Sequence, residues 1–123
     1  MITSIAHASL IISDTKQSIE FYCTVLELEL DHSRPGLGYP GVWLNVGVQQ
    51  IHLLQLPNPD PTTDRPQHGG RDRHIALMIG DLDQLTAKLQ AAHIPFTLSK
   101  SGRRALFCRD PDGNALEFIE QKI

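Results

Sequence analysis

The sequence contains an imperfect internal repeat, and this repeat constrains the fold more than any other feature. Residues 7–14 (HASLIISD) reappear as residues 74–81 (HIALMIGD). Later in each half, residues 51–54 (IHLL) correspond to residues 116–119 (LEFI). Segments with the same hydrophobic pattern favour the same local structure, so the two halves are predicted to fold alike. The repeat also aligns four potential metal ligands in two pairs: His7 with His74, and His52 with Glu117.

Hydrophobic periodicity predicts the same order of elements in each half. Apolar runs bounded by turn residues indicate strands at residues 4–12, 28–34, 42–46 and 48–56, and again at 74–80, 96–99, 104–109 and 115–121. Asp14 and Asp81 are each followed three residues later by Gln, a pattern typical of a helix N-terminus. Each half therefore reads β-α-β-β-β, and the predicted fold class is α+β with two βαβββ modules.

Both predicted helices have apolar residues at helical spacing, which indicates one buried face on each. In the first helix these residues are Ile19, Tyr22, Cys23 and Leu26; in the second they are Leu82, Leu85, Leu89 and Ala92. Between the halves, the proline-rich run at residues 57–66 can continue neither a helix nor a strand. The chain is predicted to be one domain, residues 1–123, with module one at 1–56, a linker at 57–72 and module two at 73–123.

Composition narrows the class of partner. The chain has 123 residues, of which 41% are hydrophobic and 20% charged, and its formal net charge is −3. These values are typical of a globular domain and offer no basic surface for nucleic acid. No segment approaches the roughly 20 apolar residues that span a bilayer, and the N-terminus has no leader pattern. A cytoplasmic protein with no nucleic-acid or membrane partner is therefore expected. The cysteines, Cys23 and Cys108, are predicted to be buried thiols.

Strand alternation predicts a metal site. Glu117 projects from the face opposite Leu116 and Phe118, and His52 likewise lies opposite its apolar neighbours. If the helices cover the more apolar faces, all four candidate ligands point to the concave side. A lone His in an apolar strand is more often a hydrogen-bonded core residue, but the matched positions favour ligation. Imidazole nitrogen and carboxylate oxygen suit Zn²⁺, Ni²⁺, Co²⁺, Fe²⁺ or Mn²⁺, with a coordination position left open.

The same alternation predicts the walls of a substrate pocket. Four residues should face the concave side beside the ligands: Trp43, Asn45, Thr97 and Phe107. The alternative for each is ordinary packing. An arginine near the turns could bind an anionic substrate, although such arginines are more often solvated. The candidates are Arg103, Arg104 and Arg109.

The chain resembles the vicinal oxygen chelate superfamily, which includes glyoxalase I, bleomycin and fosfomycin resistance proteins, methylmalonyl-CoA epimerase and extradiol dioxygenases. The resemblance is carried by His7, by residues 19–22 (IEFY) and 74–81, and above all by residues 107–117 (FCRDPDGNALE). It implies two βαβββ modules forming an incomplete barrel around a divalent metal. By position, His7, His74 and Glu117 match the ligands that most metal-binding members share. His52 stands where glyoxalase I enzymes have Glu and the epimerases have Gln.

The resemblance also implies a reaction. The metal would chelate adjacent oxygens of a small substrate and stabilise an enediolate or oxyanion, as in a glyoxalase-like lyase or isomerase. Glu117 would be a ligand and a possible base. The alternatives are an extradiol-type dioxygenase, using His7, His74 and Glu117 on Fe²⁺, or a non-catalytic, drug-sequestering protein of the bleomycin-resistance type. A homodimer is expected, because βαβββ modules have exposed sheet edges and family members of this length commonly pair.

Overall fold

The computed structural model describes residues 1–121, which form two compact α+β units, one of residues 1–60 and one that begins at Pro61. The predicted βαβββ order is confirmed in both units. The first unit contains β1 (His7–Ile12), α1 (Thr15–Ile19), a π-helical segment (Glu20–Val25), β2 (Glu29–Asp31), β3 (Gly41–Val46) and β4 (Gln49–Gln55). The second contains a 3-10 turn (Gly69–Arg71), β5 (His74–Ile79), α2 (Leu82–Ala91), β6 (Phe96–Leu98), β7 (Ala105–Arg109) and β8 (Ala115–Glu120).

The two sheets have the same topology and the same register. Their strand orders are β1-β4-β3-β2 and β5-β8-β7-β6. The pairs β1–β4 and β5–β8 are parallel, and the other pairs are antiparallel. Trp43 of β3 stands opposite His52 of β4, and Phe107 of β7 stands opposite Glu117 of β8. In both sheets, therefore, the candidate ligand on the last strand has an aromatic residue as its cross-strand neighbour.

Each unit buries its own apolar residues between sheet and helix. In the first unit Ile12, Tyr22, Leu44 and Leu53 are almost fully buried. In the second unit the buried leucines of α2 and of its sheet are Leu82, Leu85, Leu89, Leu106 and Leu116. Burying each such side chain stabilises a fold by roughly 1.5–3 kcal/mol. Three alternate residues of β5, starting at His74, are exposed.

The first helix differs from its prediction. Asp14 caps α1 by accepting a hydrogen bond from the Gln17 backbone N–H, as expected. The helix then widens into a π-helical segment, in which the Leu26 N–H donates to the carbonyl of Phe21, five residues back. Of the predicted apolar face, Tyr22 is buried and Ile19, Cys23 and Leu26 are half-buried, whereas Ser18 and Phe21 are also buried.

The second helix follows its prediction except at its end. Asp81 caps α2 by accepting from the Gln84 N–H. Leu82, Leu85 and Leu89 are buried, but Ala92 is exposed because the helix ends at Ala91. Neither helix, nor any other helix in residues 1–121, is long and apolar enough to cross a membrane.

The segment predicted as a linker is largely part of the second unit. The boundary falls after Asp60, inside the proline-rich run, and residues 61–72 are attached to the second unit by ionic contacts. Asp72 accepts hydrogen bonds from Arg65 and from Arg109 of β7, and Arg109 also donates to the carbonyl of Pro66. The proline content correctly excluded helix and strand, but it carries no information about these distant charge pairs.

Gly41 is expected to be essential for the pairing of β3 with β4. A Cβ at this position would collide with the backbone carbonyl of Leu53, which cannot move without breaking the ladder. We expect Gly41→Ala to lower the free energy of unfolding by about 2 kcal/mol, a typical cost of overpacking. Gly36→Ala is the matched control because no atom lies within 4 Å of its added Cβ. Urea denaturation of both variants tests this, and equal midpoints would contradict it.

Candidate metal and substrate site

In the first unit, the candidate ligands His7 and His52 form a stack of rings with Trp43. His7 is exposed on the edge strand β1, and His52 is half-buried on β4. Their ring centroids are 3.8 Å apart with an interplanar angle of 15°. The Trp43 ring covers the other face of His52 at 4.2 Å and 5°. Strand register causes this contact, since Trp43 is the cross-strand neighbour of His52.

The stacked geometry restricts how His7 and His52 can bind metal. An imidazole nitrogen donates its lone pair in the plane of the ring, and the ion lies about 2 Å from it. Two nearly parallel rings 3.8 Å apart cannot both have one ion in their planes. For both residues to ligate the same ion, one of the rings must leave the stack.

A network of polar side chains contacts His52 at its Nε2 atom. The Gln50 amide nitrogen donates to Asp31 at 2.6 Å and to Asn45 at 3.0 Å, and the Gln50 amide oxygen lies 2.9 Å from His52 Nε2. A backbone hydrogen bond from Ser33 and the bond from Gln50 lower the pKa of Asp31. Burial lowers the pKa of the His52 imidazole, which favours its neutral form.

In the second unit, His74 and Glu117 lie side by side. His74 Nδ1 is 2.8 Å from the backbone oxygen of Asp72, which can only accept, so Nδ1 carries the proton. His74 Nε2 is 3.3 Å from Glu117 Oε1. Glu117 is only 4% exposed, and its other oxygen is 3.4 Å from Arg103. Neutral Nε2 and the carboxylate oxygen are both acceptors, so their approach calls for a positive charge between them: a proton or a metal ion.

The donor set of the second unit fits a divalent metal. Metal-ligating histidines usually donate their other ring N–H to a carbonyl or carboxylate, as His74 does to Asp72. Two ligands each about 2.1 Å from one ion are about 3 Å apart, close to the 3.3 Å between His74 and Glu117. Throughout residues 1–121, no three His, Cys, Asp or Glu side chains are grouped closely enough to hold an ion. Each unit by itself brings together two of the four candidates.

An open pocket of about 330 Å³ in the second unit contains His74 and Glu117. Phe107 forms an apolar wall, with its ring edge-on to His74 at 5.1 Å and to His68 at 4.8 Å. His68 Nδ1 is 2.7 Å from the Thr97 hydroxyl. The pocket is also lined by three cationic side chains: Arg71, Lys100 and Arg103.

The structure brings some of the predicted site residues to the candidate ligands and holds others in separate contacts. Trp43 and Phe107 contact the candidate histidines, whereas Asn45 and Thr97 are hydrogen-bonded to Gln50 and His68. Arg103 lines the pocket, but Arg104 pairs with Glu120 and Asp83, and Arg109 pairs with Asp72. No role was predicted from the sequence for Arg71, Lys100, Gln50 or Asp31. The charge-rich run at residues 100–104 was a signal for Lys100 alone.

Burial disfavours the thiolate form of both cysteines. Cys108 is buried and lines a second cavity of about 310 Å³ beside β6 and β7. Burial raises the pKa of its thiol to about 12, so the thiolate is absent at neutral pH. Burial also raises the pKa of Cys23, which is only half-buried. Both thiols are free.

Comparison with known proteins establishes the family. The sequence profile of the glyoxalase/bleomycin resistance protein/dioxygenase superfamily matches residues 4–118. The chain belongs to this superfamily. The predicted resemblance to the vicinal oxygen chelate group is thereby confirmed.

Individual members of the superfamily differ in what they do. The chain is 27% identical to Glyoxylase I 4 of Arabidopsis thaliana over 94% of its own length and 70% of the relative's. It is 25% identical to lactoylglutathione lyase from Agrobacterium tumefaciens, with a TM-score of 0.67 over 97% and 94% of the two chains. A mutant of the fosfomycin resistance protein FosX from Listeria monocytogenes, complexed with Mn(II) and 1S,2S-dihydroxypropylphosphonic acid, gives a TM-score of 0.77 at 18% identity, covering 100% and 95%. This last likeness shows the fold alone.

Proposed function

We propose that this protein is a metal-dependent enzyme of the glyoxalase-like type, a lyase or isomerase acting on a small molecule. The observation that carries the proposal is the pair of His74 and Glu117. His74 is fixed by the Asp72 carbonyl with its Nε2 lone pair toward a buried carboxylate, which is the arrangement expected of two metal ligands. The Glu117 carboxylate also pairs with Arg103 at 3.4 Å, and a bound ion would further offset the cost of its burial.

The proposed ligands are His7, His74 and Glu117, with His52 as the fourth candidate. The protein is also proposed to form a homodimer. Zn, Ni, Co, Fe or Mn suits these donors. When bound, the ion would polarise adjacent oxygens of the substrate and stabilise the charge of an enediolate or oxyanion.

The remaining residues of the second unit would bind and orient the substrate. Phe107 forms an apolar wall of the pocket, and Glu117 would hold or move a proton beside the ion. The three cationic side chains at the pocket favour a small anionic substrate.

The metal requirement is tested by purifying the protein without added metal and measuring metal content by elemental analysis. Turnover is then screened with glutathione hemithioacetals, fosfomycin and catechols, before and after chelation. We expect about one divalent ion per chain. Chelation should abolish the activity, and added metal should restore it. Binding of a screened compound with no bound or bindable metal would overturn the proposal and favour drug sequestration instead.

The anionic substrate class is tested with methylphosphonate as the probe. We expect Arg103→Gln to weaken its binding by about tenfold, equivalent to one charge-assisted hydrogen bond. Arg104→Gln is the matched control, because Arg104 pairs with Glu120 and Asp83 and does not line the pocket. Isothermal titration of the metal-loaded protein measures both affinities. Equal affinities in the two variants would show that the pocket arginine does not bind the anion.

A further inference from the structure

A second histidine, His68, lines the pocket that contains His74 and Glu117. His68 is half-buried, and its Nδ1 atom is 2.7 Å from the Thr97 hydroxyl. Its ring also packs edge-on against Phe107, with the centroids 4.8 Å apart. All of these residues belong to the second unit. The His68 ring is therefore held by a hydrogen bond at one nitrogen and by an aromatic contact.

The direction of the hydrogen bond between Thr97 and His68 follows from the partners of the hydroxyl. In residues 1–121, His68 Nδ1 is the only hydrogen-bond partner of this hydroxyl. If Nδ1 carried the hydrogen, the hydroxyl would accept, and its own hydrogen would have no acceptor in that part of the chain. An unsatisfied polar group that is removed from water is costly, which favours Thr97 as the donor and leaves the ring hydrogen on Nε2.

Gly70 leaves the space beside His68 Nε2 open. A Cβ at position 70 would lie 2.8 Å from His68 Nε2 and 3.2 Å from Phe107 Cζ. These three residues all line the pocket, and Gly70 is exposed. Across the described residues 1–121, Nε2 has no hydrogen-bond partner. The Nε2–H group therefore lies beside space that opens to the pocket.

His68 and His74 differ in the nitrogen that each leaves available. The Nδ1–H of His74 donates to the carbonyl of Asp72, which leaves a lone pair on Nε2 for a metal ion. In His68 the Thr97 hydroxyl donates to Nδ1, so Nε2 carries hydrogen and has no lone pair. No third potential ligand in residues 1–121 is grouped with His74 and its neighbour. His68 is thus suited to donate a hydrogen bond and not to bind the ion.

We propose that His68 is a substrate-binding residue that donates a hydrogen bond from Nε2 to an anionic oxygen of the substrate. The three cationic side chains of the pocket attract an oxyanion by charge. An oxyanion has several acceptor oxygens, so one can accept from His68 while another contacts a cationic side chain. His68 would thereby orient the anionic group beside the metal-binding pair. The inference rests on the proposed anionic substrate.

The hydrogen position is tested by ¹⁵N NMR of protein labelled in its histidines, with the His68 signals assigned from their loss in His68→Asn. We expect a protonated Nε2 in the wild type, and a change in its shift when methylphosphonate or acetate is added. Thr97→Val, which removes the donor to Nδ1, should give a mixture of tautomers. A wild-type ring with its hydrogen on Nδ1 alone would overturn the proposal, whatever the affinity for anions.

Affinity is tested by isothermal titration with methylphosphonate and acetate, a tetrahedral and a planar oxyanion, with and without Mn²⁺. We expect His68→Asn, whose amide oxygen can still accept from Thr97, to weaken binding by about tenfold. His68→Gln, which offers an amide N–H near the position of Nε2, should bind within about threefold of the wild type. The matched control is His93→Asn, an exposed residue of the same unit outside the pocket, whose φ of 57° suits asparagine.

Gly70→Ala is an independent test because it removes no polar group. Its Cβ should displace the end of the flexible His68 side chain, and we expect a loss of affinity similar to that of His68→Asn. Gly80→Ala is the matched control, since no atom lies within 4 Å of its added Cβ. Melting temperatures of both variants show whether the fold is kept.

The outcomes separate this inference from the proposed function. Wild-type affinity in both His68→Asn and Gly70→Ala would refute the role of His68, and the anionic substrate would stand if Arg103→Gln still weakened binding. A wild type that binds neither oxyanion would overturn the anionic substrate and this inference together. The metal content of the purified protein would still decide the metal-dependent function.

Discussion

Replacing Glu117 by glutamine is expected to weaken binding of a divalent ion by about 100-fold or more. Glutamine has the same shape, but it removes the negative charge and one of the two carboxylate oxygens. Glu117 is 4% exposed, and His74 Nε2 lies 3.3 Å from its Oε1. Metal affinity is measured by competition with a chromophoric chelator. In the absence of metal, the variant should melt at or above the wild-type temperature, because a buried charge is costly.

The control for this experiment is Glu120→Gln, on the same strand β8. Glu120 pairs with Arg104, and its carboxylate also accepts from the Leu82 N–H at the start of α2. Its substitution should leave metal affinity unchanged, although it should reduce stability. The metal proposal would be contradicted if Glu117→Gln bound metal as tightly as the wild type, or if both variants lost affinity equally.

Replacing Asp72 by asparagine is expected to lower the free energy of unfolding by about 3 kcal/mol at neutral pH, as for other buried ion pairs that lose one partner. The Asp72 side chain is 7% exposed and accepts from Arg65 at 2.6 Å and from Arg109 at 2.8 Å. The hydrogen bonds from Arg65, followed by the bond from Arg109, hold the pKa of Asp72 well below its usual range. The charged carboxylate is therefore a source of stability.

The effect of Asp72 should depend on pH in a defined direction. A carboxylate whose pKa is lowered in the folded state stabilises fully above its unfolded pKa of about 3.9, and this stability is lost as pH falls toward the folded value. The difference between wild type and Asp72→Asn should accordingly shrink from pH 7 to pH 2 in urea denaturation. Asp64→Asn, an exposed site in the same segment, should show no such difference. A wild-type advantage of equal size at pH 2 and pH 7 would contradict the assignment.

The architecture was predictable because its determinants are local. Strand and helix periodicity, and the caps at Asp14 and Asp81, depend on residues within a few positions of one another. The π-helical segment was not predicted, because one extra residue per turn changes the buried face while the apolar composition stays the same. The contacts of residues 61–72 with the second unit were not predicted either, because Asp72 and Arg109, which pair with each other, are 37 positions apart.

The candidate site was likewise predictable only in part. The sequence by itself determined the two βαβββ units and the pairing of His7 with His74 and His52 with Glu117, because a repeat preserves residue type and strand position together. Only the tertiary structure decided that His7 contacts His52 in the first unit and that His74 contacts Glu117 in the second. Cross-strand register places Trp43 on one face of His52 and Gln50 at its edge, and it places Phe107 beside Glu117. Register depends on hydrogen bonds between distant segments, which the order of residues along one strand does not specify.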